Sequence, residues 1–222
     1  MSPMNPSFPS LPLAGKTKKV VFILLALCIG LGGCAVGGKP PYSIDTYFLD
    51  YTAPAAPAAE TIPATLKFSR FSVAAAYNST QMIFRKDAHR FDFFNYSRWA
   101  VNPGDMIADR LLRDIRENRL FEVVFARQAM EDGRFVVLGD VEDFFLRMDN
   151  DRGTAVIALT ISLKDSAARN AGRKIIFQKK YRVEEPLPEA SPYGYSRAAS
   201  QAMKKISEQV IGDLWIAAKN RP

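Results

Sequence analysis

The residue best placed to do chemistry in this chain is Cys34. Leu31-Gly32-Gly33 stands directly before it, an apolar run from Val20 to Leu31 leads up to it, and Lys16, Lys18 and Lys19 precede that run. A basic n-region, an apolar h-region and small residues at a cleavage point are the parts of a bacterial signal peptide, here closing on a lipobox cysteine. The chemistry it predicts is covalent: a diacylglycerol on the Cys34 thiol, cleavage before it, and an N-acyl chain of the palmitate kind on the freed amine. The apolar run is about a dozen residues, short of the roughly 20 that a membrane-crossing helix needs. An ordinary secretory signal, or a short membrane helix with Cys34 incidental, is the competing reading. Cys28 lies inside the h-region, so the mature chain keeps Cys34 as its one cysteine and no internal disulfide can form.

Other chemistry-bearing residues lack the partners that catalysis needs. His89 is the sole histidine, within Arg85-Lys86-Asp87-Ala88-His89-Arg90. It cannot build a two-histidine zinc site and reads as a surface side chain. No Gly-x-Ser-x-Gly elbow is present. Glu142 and Asp143 are neighbours on an expected strand, whose alternation would point them to opposite faces. Asp149 and Asp151 resemble the start of a calcium loop, but Gly153 falls one place early and no glutamate closes it. Phosphate-cradling glycine motifs are missing too. The expectation is therefore no enzyme, no metal and no cofactor apart from the acyl groups. Arg85 and the pair Arg98-Trp99 end apolar, strand-like stretches. They are candidates for partner contact, since Arg and Trp anchor interfaces, or for a structural role with Trp99 packed under the first helix and Arg85 or Arg98 on a carboxylate.

The elements that must hold these residues are legible from periodicity. Residues 1–33 form the expected signal, 34–41 a Gly/Pro tether and 42–222 one domain. Tyr42 to Tyr51 suits a first strand, Ala53 to Pro63 an extended Ala/Pro link, and Thr65 to Ala76 a second strand. Gln81 to Arg85 and Arg90 to Tyr96 form an expected hairpin turning near Asp87-Ala88-His89. Asn102, Pro103 and Asp105 open a capped helix, on which Ile107, Leu111, Leu112 and Ile115 make the apolar stripe while Arg110, Arg113, Asp114 and Glu117 are expected to point elsewhere. The helix should stop near Asn118. Phe121 to Phe125 follows, then the turn signal Asp132-Gly133. Phe135 to Met148, Thr154 to Lys164 and Lys174 to Val183 make an expected antiparallel meander. A second helix, about Tyr193 to Ala218, carries the stripe Ala199, Met203, Ile206, Val210, Leu214 and Ala217. Together these predict an α+β fold: a mostly antiparallel sheet with two main helices packed on one face.

Composition agrees with a packed domain: 48% of residues are hydrophobic and 24% charged. Losing Lys16, Lys18 and Lys19 turns the formal charge of +7 into a mild surplus. No arginine-rich tract suggests nucleic acid.

The order of features resembles a known family. Behind the lipobox come Tyr47-Phe48-Leu49, then Tyr77 shortly before Gln81-Met82-Ile83-Phe84-Arg85, then an aromatic stretch ending Arg98-Trp99-Ala100, then a capped helix with Leu111-Leu112. From Tyr42 to Leu214 this is similar to the ABC-type transport auxiliary lipoproteins. The resemblance implies a Gram-negative outer-membrane lipoprotein facing the periplasm, a placement that Ala35 after Cys34, instead of aspartate, also favours. Its implied partners are an MCE-domain protein, an ABC permease and its ATPase, in a system moving phospholipids between membranes. The implied role is docking that assembly to the outer membrane without catalysis. A homo-oligomer stays open, as do a periplasmic lipid-binding carrier and an envelope-assembly lipoprotein.

Overall fold

Among the described residues, two α-helices form where a capping side chain stands just ahead of an apolar stripe. Helix α1 is Pro103–Glu117, with Asn102 Oδ1 accepting the Gly104 N–H at 3.0 Å. Helix α2 is Pro192–Lys219, with Ser191 Oγ accepting the Gly194 N–H at 2.9 Å. Proline opens both, at a position where its missing N–H costs nothing. The structure, a computed structural model, describes residues 42–55, 60–149, 152–169 and 174–221. Cys34, the signal, the tether and Asp151 lie outside the described residues.

Among the described residues nine strands make one sheet: β1 (Asp45–Tyr47), β2 (Ile62–Phe68), β3 (Ser72–Val73), β4 (Gln81–Arg85), β5 (Phe91–Trp99), β6 (Phe121–Phe125), β7 (Phe135–Asp149), β8 (Arg152–Asp165) and β9 (Ile175–Pro186). The long β7 is its spine. Along one edge β8 pairs antiparallel from Phe135↔Asp165 to Asp149↔Arg152, and β9 pairs antiparallel with β8. Along the other edge β2, β3 and β4 follow one another, all parallel to β7. Outside them, β6 is parallel to β2, β5 antiparallel to β4, and β1 parallel to β5.

The sheet is thus mixed, which corrects the mostly antiparallel expectation. The meander β7–β8–β9 and the β4–β5 hairpin form as expected, because each is a local reversal that turn residues announce. Residues 62–85 and the later β7 run the same way because helix α1 and β6 intervene, and a helical crossover returns the chain before the next strand begins. Alternation of apolar residues marks a strand without stating its direction. The first two expected strands also shrink: only Asp45–Tyr47 pairs within Tyr42–Tyr51, and a 3₁₀ turn at Ala75–Tyr77 ends the second segment. Gly133 is there for closeness, since a Cβ on it would lie 2.7 Å from both the Lys67 amide nitrogen and the Phe135 oxygen. The segment before β7 therefore lies hard against β2.

Both helices cover one face of the sheet. Ile107, Leu111 and Ile115 of α1 and Met203, Ile206, Val210 and Leu214 of α2 are fully buried, together with Leu66, Phe135, Val137, Leu159, Ile161 and Leu163 of the sheet. Each such side chain contributes about 1.5–3 kcal/mol of burial free energy. Two polar residues of α1 overturn the expectation that they point outward: Arg110 is 8% exposed and Asp114 0%. Asp114 stands seven residues after Ile107, two helical turns on, so it sits within the apolar stripe.

Candidate functional site

The three residues expected to act together occupy three different settings. Trp99, at the end of β5, is 1% exposed, with its ring 5.1 Å from Phe144 of β7 and 5.2 Å from Tyr195 of α2, both edge-on. Such pairs add about 0.5–1.5 kcal/mol beyond area burial. Among the described residues, neither Trp99 Nε1 nor Tyr195 Oη has a hydrogen-bond partner. Arg98 is the next residue back and turns to the other side, where Nη1 donates to the Phe94 carbonyl at 3.1 Å and the guanidinium lies 5.7 Å from the Phe93 ring. Arg85 stands at the far end of β4. Arg98 pairs with Gln81, so four residues, roughly 13 Å of strand, separate the two arginine levels.

Arg85 belongs to a polar relay on the helix-free face. Its guanidinium lies 4.2 Å above the Phe145 ring and donates to Tyr77 Oη, while Tyr77 stacks on Phe145 at 5.9 Å. The Tyr77 hydroxyl donates to Asp143 at 3.4 Å, and Arg182 Nη1 donates to the other Asp143 oxygen at 2.7 Å. Arg182 also meets Glu184, which accepts from Arg147 at 2.8 Å. Burial pushes the Tyr77 phenol up to about 12. The Arg147 hydrogen bond, with Arg182 beside it, holds the Glu184 carboxyl below the usual carboxylate range.

The same face corrects the expectation for Glu142 and Asp143. The register between Val141 and Asp143 shifts by a bulge. Glu142 pairs with Lys180 and accepts from Thr160 at 2.6 Å, while Asp143 pairs with Arg182, two residues along β9. Residues two apart on a strand share a face, so the bulge has turned both carboxylates to the same side. Each is held by its own cation, which fits a structural surface and leaves no free acid–base pair.

Asp114, fully buried, anchors a polar node that the sequence reading missed. Asp114 Oδ2 accepts from Tyr51 Oη at 2.8 Å and from Ser207 Oγ of α2 at 2.6 Å. Arg110 stacks 4.2 Å over the Tyr51 ring and donates to the Tyr51 carbonyl, which also accepts from Arg113 at 3.0 Å. This node ties the segment after β1 to both helices. The readable signal was Asp114 at stripe spacing on α1 together with Ser207, next to Ile206 in the stripe of α2.

His89 sits on the β4–β5 connection, where Asp87 Oδ1 accepts the N–H groups of His89 and Arg90 at 2.9 Å each. Among the described residues no cluster of three or more His, Cys, Asp or Glu is arranged to hold a metal ion, and no helix is long and apolar enough to cross a membrane.

Comparison with known proteins bears on the whole domain. The model of a family described as the ABC-type transport auxiliary lipoprotein component matches residues 47–211. Comparison with curated protein sequences finds no match. Among solved structures, a Xanthomonas campestris protein of a family of unknown function is similar with a TM-score of 0.70 at 17% identity, over 78% of this chain and 96% of that one. A hypothetical protein of Chlamydia trachomatis is similar with a TM-score of 0.50 at 7% identity, over 72% of this chain and 99% of that one. At these identities the likeness is one of fold.

Proposed function

Because the chain belongs to the family of ABC-type transport auxiliary lipoprotein components, we propose that it is the lipid-anchored, non-catalytic subunit that docks such a transporter to the outer membrane. Its anchor is the acylated Cys34, and its partners are an MCE-domain protein, an ABC permease and the ATPase that drives them. The transported molecule is apolar, of the phospholipid class. The observation that carries this reading is the family match, which spans nearly all of the domain from β1 to the second half of α2. The side-chain chemistry supports it: Asp114 Oδ2 is held by Tyr51 and Ser207, and Asp143 by Tyr77 and Arg182, as in a scaffold.

The carrier reading requires a lipid-sized cavity between sheet and helices. That layer is instead filled by Leu66, Phe135, Val137, Leu159, Met203 and Val210, each fully buried. The larger hollows lie open at the surface, such as the groove of about 480 Å³ lined by Tyr47, Phe48, Tyr193 and Arg197. The domain is accordingly read as a connector, with lipid passing through its partners.

Mild-detergent affinity purification of the full-length chain, with mass spectrometry of proteins and lipids, tests this. The expected result is an MCE-domain protein with its permease and ATPase. Lipid without those proteins would favour the carrier, and an assembly machine of another kind would favour the envelope-assembly reading.

A further inference from the structure

The β4–β5 hairpin ends in an exposed surface that carries aromatic and charged side chains. Phe84 and Phe94 pack ring to ring at 5.0 Å and line an open groove of about 460 Å³ with Lys86 and Met148. Beyond it, Lys86, His89, Arg90 and Phe91 line a second hollow, and Phe91 is 57% exposed. Lys86 and Arg90 are the cations there, Arg90 Nε donating to Asp87 at 2.7 Å, and Asp92 is a second carboxylate, lining the same hollow. Aromatic rings on a hairpin tip with long cationic side chains beside them suit the boundary between headgroups and acyl chains, where such rings settle and lysine and arginine reach back to phosphate.

The direction of β1 says from which end of β5 the chain arrives. β1 is parallel to β5, with Asp45 beside Ser97 and Tyr47 beside Trp99. The chain therefore arrives at Asp45 travelling from the Phe91 end of β5, the hairpin end. Ile44, directly before β1, is 54% exposed. From Ser97 back to Phe91 is roughly 20 Å of strand. The stretch from Cys34 to Asp45 is about 11 residues and spans at most roughly 40 Å when extended. A chain of that length is long enough to cover the distance to the hairpin tip, and a tethered second contact needs little affinity of its own.

We propose that the tip of the β4–β5 hairpin, through Phe84, Phe91 and Phe94 with Lys86 and Arg90, rests on the phospholipid surface that holds the anchor and so sets the domain's orientation. This rests on the reading of Cys34 as lipidated. The opposite end of the sheet, toward β6, is left facing away from the membrane.

The test uses the full-length, acylated protein on vesicles of phosphatidylethanolamine and phosphatidylglycerol, with lipids brominated near the headgroup end of the acyl chains. Tryptophan is introduced by Phe91→Trp at the tip or by Val123→Trp on β6, which is 40% exposed at the far edge. With the unsubstituted protein as baseline, bromine quenching several-fold stronger for Phe91→Trp than for Val123→Trp is expected. If the protein floats with the vesicles but the two variants quench alike, the tip proposal is overturned and the anchor stands. In that case, loss of a protein partner on Phe91→Ala would mark the tip as a protein-docking surface. If the acylated chain does not float at all, the anchor reading falls and takes the proposal with it.

Discussion

The two ends of β5 carry similar residues and meet opposite fates. At one end Trp99 is 1% exposed, sandwiched between β7 and α2; at the other Phe91 is 57% exposed, on a basic hairpin tip. Both are large aromatics beside arginines, so composition does not separate them. What separates them is cover. Helix α2 places Tyr195 over Trp99, whereas the hairpin runs on past Arg85↔Phe91, the last pair of the β4–β5 ladder. An aromatic with cover stabilises the fold; one without it is available to a partner, which here we take to be lipid.

The contrast is open to breakage by mutation. Trp99→Ala should lose about 3–5 kcal/mol in urea unfolding, as expected for a buried aromatic, while Phe91→Ala should stay within about 0.5 kcal/mol of the parent. Comparable losses at both ends would remove the distinction. Asp114→Ala strands two buried hydroxyls and should cost about 2–4 kcal/mol, with Asp114→Asn milder because it keeps an acceptor. Arg85→Ala, which removes a guanidinium from over Phe145 and a donor from Tyr77, should cost about 1–2 kcal/mol.

The relay below Arg85 also predicts a pH effect. The Tyr77 phenol is raised from 10.0 to about 12 by burial, so between those values the folded protein keeps a proton that the unfolded chain has lost. Its stabilising contribution is complete below pH 10 and fades as pH rises towards 12. Tyr77→Phe should flatten that part of a stability-versus-pH curve. The smallest effect belongs to Tyr195→Phe, which deletes a buried hydroxyl lacking a partner among the described residues. It should be neutral or stabilise by up to about 1 kcal/mol, and a clear loss would show that the hydroxyl is engaged.

Features set by neighbours in the chain were legible from sequence. Asn102 ahead of Pro103 marks α1, the apolar stripe from Ala199 to Ala217 marks α2, and the meander's turns mark β7, β8 and β9. Features set by distant segments were not. The parallel pairing of β2, β3 and β4 with β7 depends on a crossover through α1, and the bulge at Glu142-Asp143 is a property of the ladder with β8. Asp114 was half legible: its stripe position can be counted, but its partners Tyr51 and Ser207 lie 63 and 93 residues away. For Arg85, Arg98 and Trp99, residue type suggested a cluster, while strand register assigns each a separate neighbourhood.

The measurement closest to the central claim is density-gradient separation of inner and outer membranes from cells carrying either the full-length chain or its Cys34→Ala variant, with the MCE-domain protein followed through the gradient. If the chain is the anchored docking subunit, part of the MCE-domain protein travels with the outer membrane, and Cys34→Ala abolishes that share. An MCE-domain protein whose distribution is the same in both strains would contradict the account.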